Sequence, residues 1–299
     1  MIKLGTRNSP LALKQASIIK HNLLQHHPNL AIDIVPIMTQ GDKNKTQPLS
    51  EIGGKGVFIK TLEQALLEGT IDAAIHSLKD VTAAIDNKTI LTSYLTPESR
   101  NDCFIFAHNT SYNTLDCLPQ GMTLATSSLR RKAILNHLRP DIIIKDIRGN
   151  IGTRIEKINQ GYADAVILSS VGLIRLNQTH LINYNCDPTQ FIPAPGQGVI
   201  TIQLLKNRQA ELACFESINN PITKQQCLYE QRLIQQLGLD CNYPLGVYAL
   251  LNDGIITLYV CWSRPDCSGY KTKILTGDHA TILQAIDPLA KSIQLSIKG

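Results

Sequence analysis

Apolar residues recur along this chain in two alternating rhythms, short unbroken runs that suit buried strands and helical repeats of one face. "IKLGT" predicts a strand, and "SPLALKQASIIKHNLLQ" a helix with Ser9 as N-cap and Pro10 in its first turn. "AIDIVPI" predicts a second strand, "VFIKTLEQALLEG" an amphipathic helix that stops at Gly69, and "DAAIHS" a third strand. Between the second strand and the second helix, "TQGDKNKTQPLSEIGGKG" is long, polar and glycine-rich, which predicts a mobile surface loop. Strands alternating with helices imply βαβ units around a mostly parallel sheet.

The pattern repeats. "GTIDAAIHS" at 69–77 is echoed by "GYADAVILS" at 161–169, and "GTRNSPLAL" near the start by "ATSSLRRKAIL" from Ala125. Each member of the second pair reads strand, then Thr and Ser, then helix, with arginine close by. Two similar α/β lobes follow, one centred on the first hundred residues and one on roughly 100–190. Beyond them, "FIPAPGQGVITIQLL" is a Pro/Gly-punctuated crossing into another strand, and 221–237 predicts a helix. "GVYALLNDGIITLYVCW" reads as a hairpin around Asn-Asp-Gly, and a helix near 278–296 closes an α+β segment.

Composition narrows the class. The 299 residues are 43% hydrophobic and 18% charged, a folded chain long enough for two or three domains. Aromatics make up only 5%, which argues against stacking on bases, and a net charge of +5 without a basic run suits anionic small molecules at least as well as nucleic acid. The opening "MIKLGTRNSP" lacks an apolar h-region, and no apolar run reaches the roughly 18 residues of a membrane span, so neither export nor membrane insertion is expected. The eight cysteines form no C-x-x-C pair, so no zinc site is expected, and reduced thiols in the cytosol are.

The candidate chemistry gathers at predicted helix starts. Arg7 and Ser9 sit at one; Thr126, Ser127, Ser128, Arg130 and Arg131 sit at another; Arg148, Gly149 and Arg154 surround a third. Helix N-termini offer free N–H groups, and arginine adds a fork that matches carboxylates. Either of the first two alone reads as well as a capped helix with solvated arginines; on duplicated lobes able to face one cleft, anion binding becomes an equal reading. With Arg175, the guanidiniums collect at strand-to-helix junctions, where open α/β sheets bind ligands. A ligand with several carboxylates explains the set, and a phosphate ligand competes. "GGKG" at 53–56 is not a P-loop, since glycine follows the lysine. Lys79 and Asp80 lie together at a predicted strand end. Their ordinary reading is a solvated ion pair, but a carboxylate among cations at such a place can stabilise a developing cation or move a proton. Cys241 is a loop cysteine beside Asp240, and nothing in its surroundings marks it as reactive.

Taken together, "TRNSPLAL", "GGKGVF", "HSLKDV", "TSSLRR", "RGNIGTR", "PAPGQG" and the cysteine loop resemble the hydroxymethylbilane synthase (porphobilinogen deaminase) family, in order and spacing over nearly the whole chain. The resemblance implies an α/β fold of two periplasmic-binding-protein-like lobes plus a smaller α+β C-terminal domain. Domain 1 would span 1–98 and 195–217, domain 2 99–194 and domain 3 218–299. It implies a transferase that joins four porphobilinogen molecules head to tail, releases ammonia at each step and makes hydroxymethylbilane for porphyrin and haem biosynthesis. It further implies a dipyrromethane cofactor, one per chain, joined by a thioether to Cys241. Asp80 matches the catalytic aspartate. Lys79, Thr126, Ser128, Arg130, Arg131, Arg148 and Gly149 match cofactor-binding positions. Arg7, Ser9, Lys55, Phe58, Arg154, Arg175 and Gln197 match substrate-binding ones. A cytoplasmic monomer without metal, membrane or nucleic-acid partner is expected. The chain departs from the family at Glu51, where members often have lysine, at Leu239-Asp240, where a glycine pair is usual, and at Thr82, where proline is. The competing class is a non-catalytic anion-binding protein on the same two-lobed fold, which would account for the arginines but not for Asp80 or Cys241.

Overall fold

The first apolar run, Ile2–Arg7, is strand β1 of the computed structural model, which describes residues 1–38, 56–81, 85–107, 112–210, 212–238 and 243–298, with 56–58 and 298 described by their backbone alone. In helix α1 (Pro10–His26) the Ser9 hydroxyl accepts the Ala12 N–H at 3.3 Å, and Pro10 sits where no N–H is needed. Strand β2 (Ile32–Ile37) runs parallel to β1. Helix α2 (Gly56–Leu67) is followed by Gly69 at φ 69°, and the Thr70 N–H bonds back to the Ala65 carbonyl. Strand β3 (Ala73–Ser77) returns parallel to β1, and β4 (Thr89–Tyr94) follows. The polar loop with Glu51 and Lys55 lies outside the described residues, as does Thr82.

The plan is then rebuilt from strands β5 (Asp102–Phe106), β6 (Thr123–Ala125), β7 (Ile143–Lys145), β8 (Ala165–Ser169) and β9 (Tyr184–Asn185) with helices α3 (Leu129–Leu138), α4 (Ile151–Asn159) and α5 (Ser170–Arg175). Strand β10 (Ile200–Leu205) joins the first sheet, antiparallel to β3 and β4. The sheet orders are β2-β1-β3-β10-β4 and β7-β6-β8-β5-β9. They correspond strand for strand, and in each the fourth strand runs against the other four because it arrives from outside the βαβ run. The sequence echo holds at hydrogen-bond detail. Asp72 before β3 accepts the Lys3 N–H at 2.8 Å, and Asp164 before β8 accepts the Thr123 N–H at 2.7 Å. Each carboxylate thus pins the start of its strand to the neighbouring parallel one. These are two α/β lobes with matching strand orders.

Both faces of the first sheet are covered. Leu4, Ile19, Leu23, Ile75 and Ile202 pack on one side, and Leu62, Leu66, Ile71 and Ala74 on the other. The third part is a small α+β element. Helix α6 (Pro221–Leu237) precedes the hairpin β11 (Leu245–Asn252) and β12 (Ile255–Trp262), whose two-residue turn holds Asp253 at φ 49° and Gly254 at φ 80°. An edge strand β13 (Lys271–Gly277) and helix α7 (His279–Lys298) complete it. The chain forms two compact units, Met1–Pro97 with Gly198–Gln225, and Glu98–Gln197 with Gln226–Gly299. The second lobe and the three-stranded sheet belong to the same unit.

Candidate active site

In the first unit the candidates collect at the carboxyl ends of two adjacent parallel strands. Arg7 ends β1 and Ser9 caps α1; Lys79 and Asp80 lie in the single 3-10 turn (Leu78–Asp80) that follows β3. That is where open α/β sheets bind ligands. All four are half-buried. The turn is braced on several sides. The Leu78 N–H donates to Val199 at 2.9 Å and the Val81 N–H to Leu78 at 3.0 Å. Gln15, buried on α1, pairs its amide with the Ser77 hydroxyl at 2.8 and 3.2 Å. One residue before that, His76 contacts Gln203 of β10 at 2.9 Å, and the Gln203 amide nitrogen donates to Glu63 and Thr89, each at 2.7 Å. Burial pushes the His76 imidazole down to about 4, against the opposing pull of Gln203 and Asp80, so a neutral ring lies beneath the turn at neutral pH. Phe58 is in α2, described by its backbone.

The second unit holds most of the arginines. Ser128 caps α3, accepting from the Arg131 N–H at 3.5 Å, and Asn150 caps α4, accepting from the Thr153 N–H at 2.9 Å. Arg130 and Arg131 are not solvated. Each is buried, each places an Nη2 at 2.7 Å from Asp102, and each donates an Nη1 at 2.8 Å to a backbone carbonyl, Ile192 or Ile167. Gln197, also buried, donates to the Asp102 carboxylate at 3.0 Å and to the Arg100 carbonyl at 2.8 Å. Burial opposes the charge on Asp102, but the two guanidiniums outweigh it and hold the carboxyl well below its ordinary range. The Nε of each arginine is buried without a hydrogen-bond partner. Thr126 is buried behind Ser128.

Arg154 donates its Nε to the Gly149 carbonyl at 2.8 Å. Burial first, then repulsion from Arg131 and Arg148, pushes it down to about 10. Of the nearby carboxylates, Asp102 serves Arg130 and Arg131, and Asp146 bonds Lys132 at 2.9 Å. The region around the starts of α3 and α4 therefore carries more guanidinium charge than the described side chains neutralise. Gly149 is at φ 113°, and a Cβ there would stand 2.8 Å from Thr153 Cβ, so this approach requires glycine. Arg175 lies apart from this cluster in its bonding: its guanidinium is buried and paired with Glu98, with contacts of 2.7 to 3.1 Å. Cys241, with Leu239 and Asp240, lies outside the described residues. Among the other cysteines, burial pushes Cys103 up to about 12 and Cys261 up to about 11, which suits packing.

Residues 2–213 match the family described as porphobilinogen deaminase, dipyromethane cofactor binding domain. The chain belongs to the porphobilinogen deaminase family. Porphobilinogen deaminases are transferases of porphyrin biosynthesis that bind porphobilinogen and carry a dipyrromethane cofactor. Solved structures similar to the chain include the periplasmic VFT2 domain of BvgS from Bordetella pertussis (14% identity, 77% of this chain and 92% of that one, TM-score 0.41). Another is a nutrient binding protein from Burkholderia cenocepacia bound to methionine (13% identity, 75% of this chain and 94% of that one, TM-score 0.41). A third is a TRAP periplasmic solute binding protein from Desulfovibrio salexigens (11% identity, 79% of this chain and 76% of that one, TM-score 0.43).

The donor set fits what a deaminase must hold. A dipyrromethane is a polycarboxylate, and the second unit offers a surplus of guanidinium charge, two capped helix starts and three buried Nε donors, of Arg100, Arg130 and Arg131, without a hydrogen-bond partner. Sequence reasoning missed two carboxylates that organise this unit. Asp102 opens the apolar run "DCFIF", and Glu230 lies in α6, accepting from Arg100 at 2.6 Å and from the Gly196 and Ala249 N–H groups at 2.7 and 2.9 Å. The available signal was an acid beginning an otherwise apolar strand, since a charge on a core face needs a partner.

Proposed function

We propose that the protein is a hydroxymethylbilane synthase that condenses four porphobilinogen molecules head to tail, releases one ammonia per step and yields linear hydroxymethylbilane. The observation that carries this reading is the guanidinium surplus around Arg131, Arg148 and Arg154 in a chain whose residues 2–213 match the deaminase family. Each pyrrole ring of the substrate bears an acetate and a propionate, so the growing chain is a polyanion. Lys79, Thr126, Ser128, Arg130, Arg131, Arg148 and Gly149 would hold the cofactor's carboxylates. Arg7, Ser9, Lys55, Phe58, Arg154, Arg175 and Gln197 serve the incoming substrate. Bound as a thioether to Cys241, the dipyrromethane supplies a free pyrrole α-carbon as the first nucleophile.

Asp80 carries the chemistry. Its carboxylate accepts the substrate's pyrrole N–H and faces the positive charge that develops as the aminomethyl nitrogen leaves. One C–N bond breaks and one C–C bond forms at the substrate's methylene carbon, and the proton lost from the attacking α-carbon leaves with ammonia, by way of Asp80. The braced turn and the neutral His76 fit a carboxylate that must hold one attitude through four cycles. The enzyme works as a cytoplasmic monomer, with the three domains bounded at 1–98 with 195–217, 99–194 and 218–299. Asp80→Ala is expected to fold with an unchanged circular dichroism spectrum while bilane formation falls by about 10²–10³ or more, the loss of one such electrostatic partner. Near-normal bilane production by that variant refutes the assigned role.

A further inference from the structure

Strand β8 ends at Ser169, the residue directly opposite Asp102 in the antiparallel β5–β8 ladder. Residues paired in this way point their side chains to one face of the sheet. On that face Asp102 takes the Nη2 groups of Arg130 and Arg131, each at 2.7 Å, and Arg131 Nη1 donates to the Ile167 carbonyl, two residues back along β8. The Ser169 hydroxyl oxygen is buried and finds no hydrogen-bond partner among the described residues, and neither does the Nε of Arg131. The hydroxyl does not cap the short helix that follows it. In the first unit, Ser77 ends β3 at the matching place, and its hydroxyl is paired with the Gln15 amide at 2.8 and 3.2 Å. Gln15 lies six residues after the cap Ser9; six residues after the cap Ser128 stands Ile134, an apolar core residue. The second unit thus keeps the serine and replaces its partner by a hydrocarbon. Buried hydroxyls without a partner are rare, because they give up water and gain nothing in return.

We propose that the Ser169 hydroxyl is a further carboxylate-binding donor: it donates to an acetate or propionate oxygen of a pyrrole ring held beside Arg131. The inference rests on the reading of the protein as a hydroxymethylbilane synthase. Strand β8 runs parallel to β6, so Ser169 lies at a strand's carboxyl end, one strand from the segment that leads through Thr126 and Ser128 into α3. Open α/β sheets bind their ligands at such ends. Ser169 is half-buried, and its hydroxyl reorients by one rotamer step. The surroundings select an anionic acceptor. Asp102, the carboxylate across the ladder, is already taken by Arg130, Arg131 and Gln197, and a hydroxyl beside a guanidinium adds a second donor for a carboxylate brought in by a ligand. Both the cofactor and the incoming porphobilinogen carry such groups.

The test is Ser169→Ala in two backgrounds, the cofactor-loaded chain and Cys241→Ser, with steady-state turnover of porphobilinogen by the loaded chains. In Cys241→Ser, which carries no cofactor on this reading, deleting an unpaired buried hydroxyl should leave the melting temperature equal or raise it. If the acceptor belongs to the cofactor, Ser169→Ala lowers the melting temperature of the loaded chain by several degrees. If it belongs to the substrate, KM for porphobilinogen rises about tenfold, the scale of one charge-assisted hydrogen bond, with kcat within about twofold. A loaded Ser169→Ala chain whose melting temperature and KM both equal those of wild type overturns the proposal. So does an equal drop in melting temperature in both backgrounds with KM unchanged, since the hydroxyl then serves folding alone. Should Cys241→Ser not fold, the fraction of chain carrying the two-pyrrole mass takes its place: Ser169→Ala lowers it, and a fraction equal to wild type with unchanged KM overturns the proposal. A wild-type chain with neither the added mass nor turnover overturns the underlying functional reading, and this inference with it.

Discussion

The proton positions around His76 follow from its neighbours. Glu63 Oε1 accepts the Asp86 N–H at 3.0 Å and the Gln203 amide nitrogen at 2.7 Å, while the Thr89 hydroxyl donates to Asp86 and so accepts from Gln203. Gln203 must then turn its oxygen to His76, and the imidazole carries its hydrogen on Nε2. In the unfolded chain the same ring titrates near 6.5, but when folded it is pushed down to about 4 by burial. Between these values the unfolded state binds the proton that the folded state refuses. Stability should therefore rise with pH from about 4 to 6.5, by roughly 3 kcal/mol, and be lost on acidification. Asp80 and the Gln203 contact oppose the shift and set its lower edge. Guanidinium unfolding at pH 4.5 and 7 measures the slope, and His76→Gln should flatten it. Nothing in "HSLKDV" announces this; a histidine in an apolar strand reads only as core, and its partner Gln203 comes from 127 residues away in sequence.

At the scale of elements, the two lobes were largely legible because their βαβ units carry local signals: caps at Ser9 and Ser128, left-handed glycines at 69 and 161, and an Asp before each repeated strand. The elements that escaped lack such signals. Strand β5 is buried on both faces and shows no alternation, while β13 is an exposed edge whose Lys271 and Lys273 make it look like loop. The same reasoning identifies a fragile element, the start of α4. Gly149→Ala places a methyl against Thr153 at a positive φ, and should cost roughly 1–3 kcal/mol. A melting temperature several degrees lower, with weaker substrate binding because the residue 149 carbonyl that Arg154 bonds is displaced, is the expected result. Ser128→Ala removes the α3 cap and should cost about 1 kcal/mol, read by the same melt. A melting temperature equal to wild type in either variant contradicts the local account.

For the whole molecule, a net charge of +5 understates the asymmetry, since guanidiniums gather at the starts of α3 and α4. With Arg154 among them proposed to hold a substrate carboxylate, raising ionic strength should raise KM for porphobilinogen while kcat changes little, because screening acts on the charged encounter and not on the contact proposed for Asp80. Cys241, the proposed attachment point of the cofactor, lies beyond residue 213, where the family match ends. Intact mass spectrometry of the purified protein tests the attachment most directly. The expected result is a mass above that of the 299-residue chain by two pyrrole units, absent in Cys241→Ser. On adding porphobilinogen, a ladder should appear in steps of one substrate less ammonia, and Asp80→Ala should stop it. A wild-type protein at its unmodified mass that forms no ladder contradicts the account.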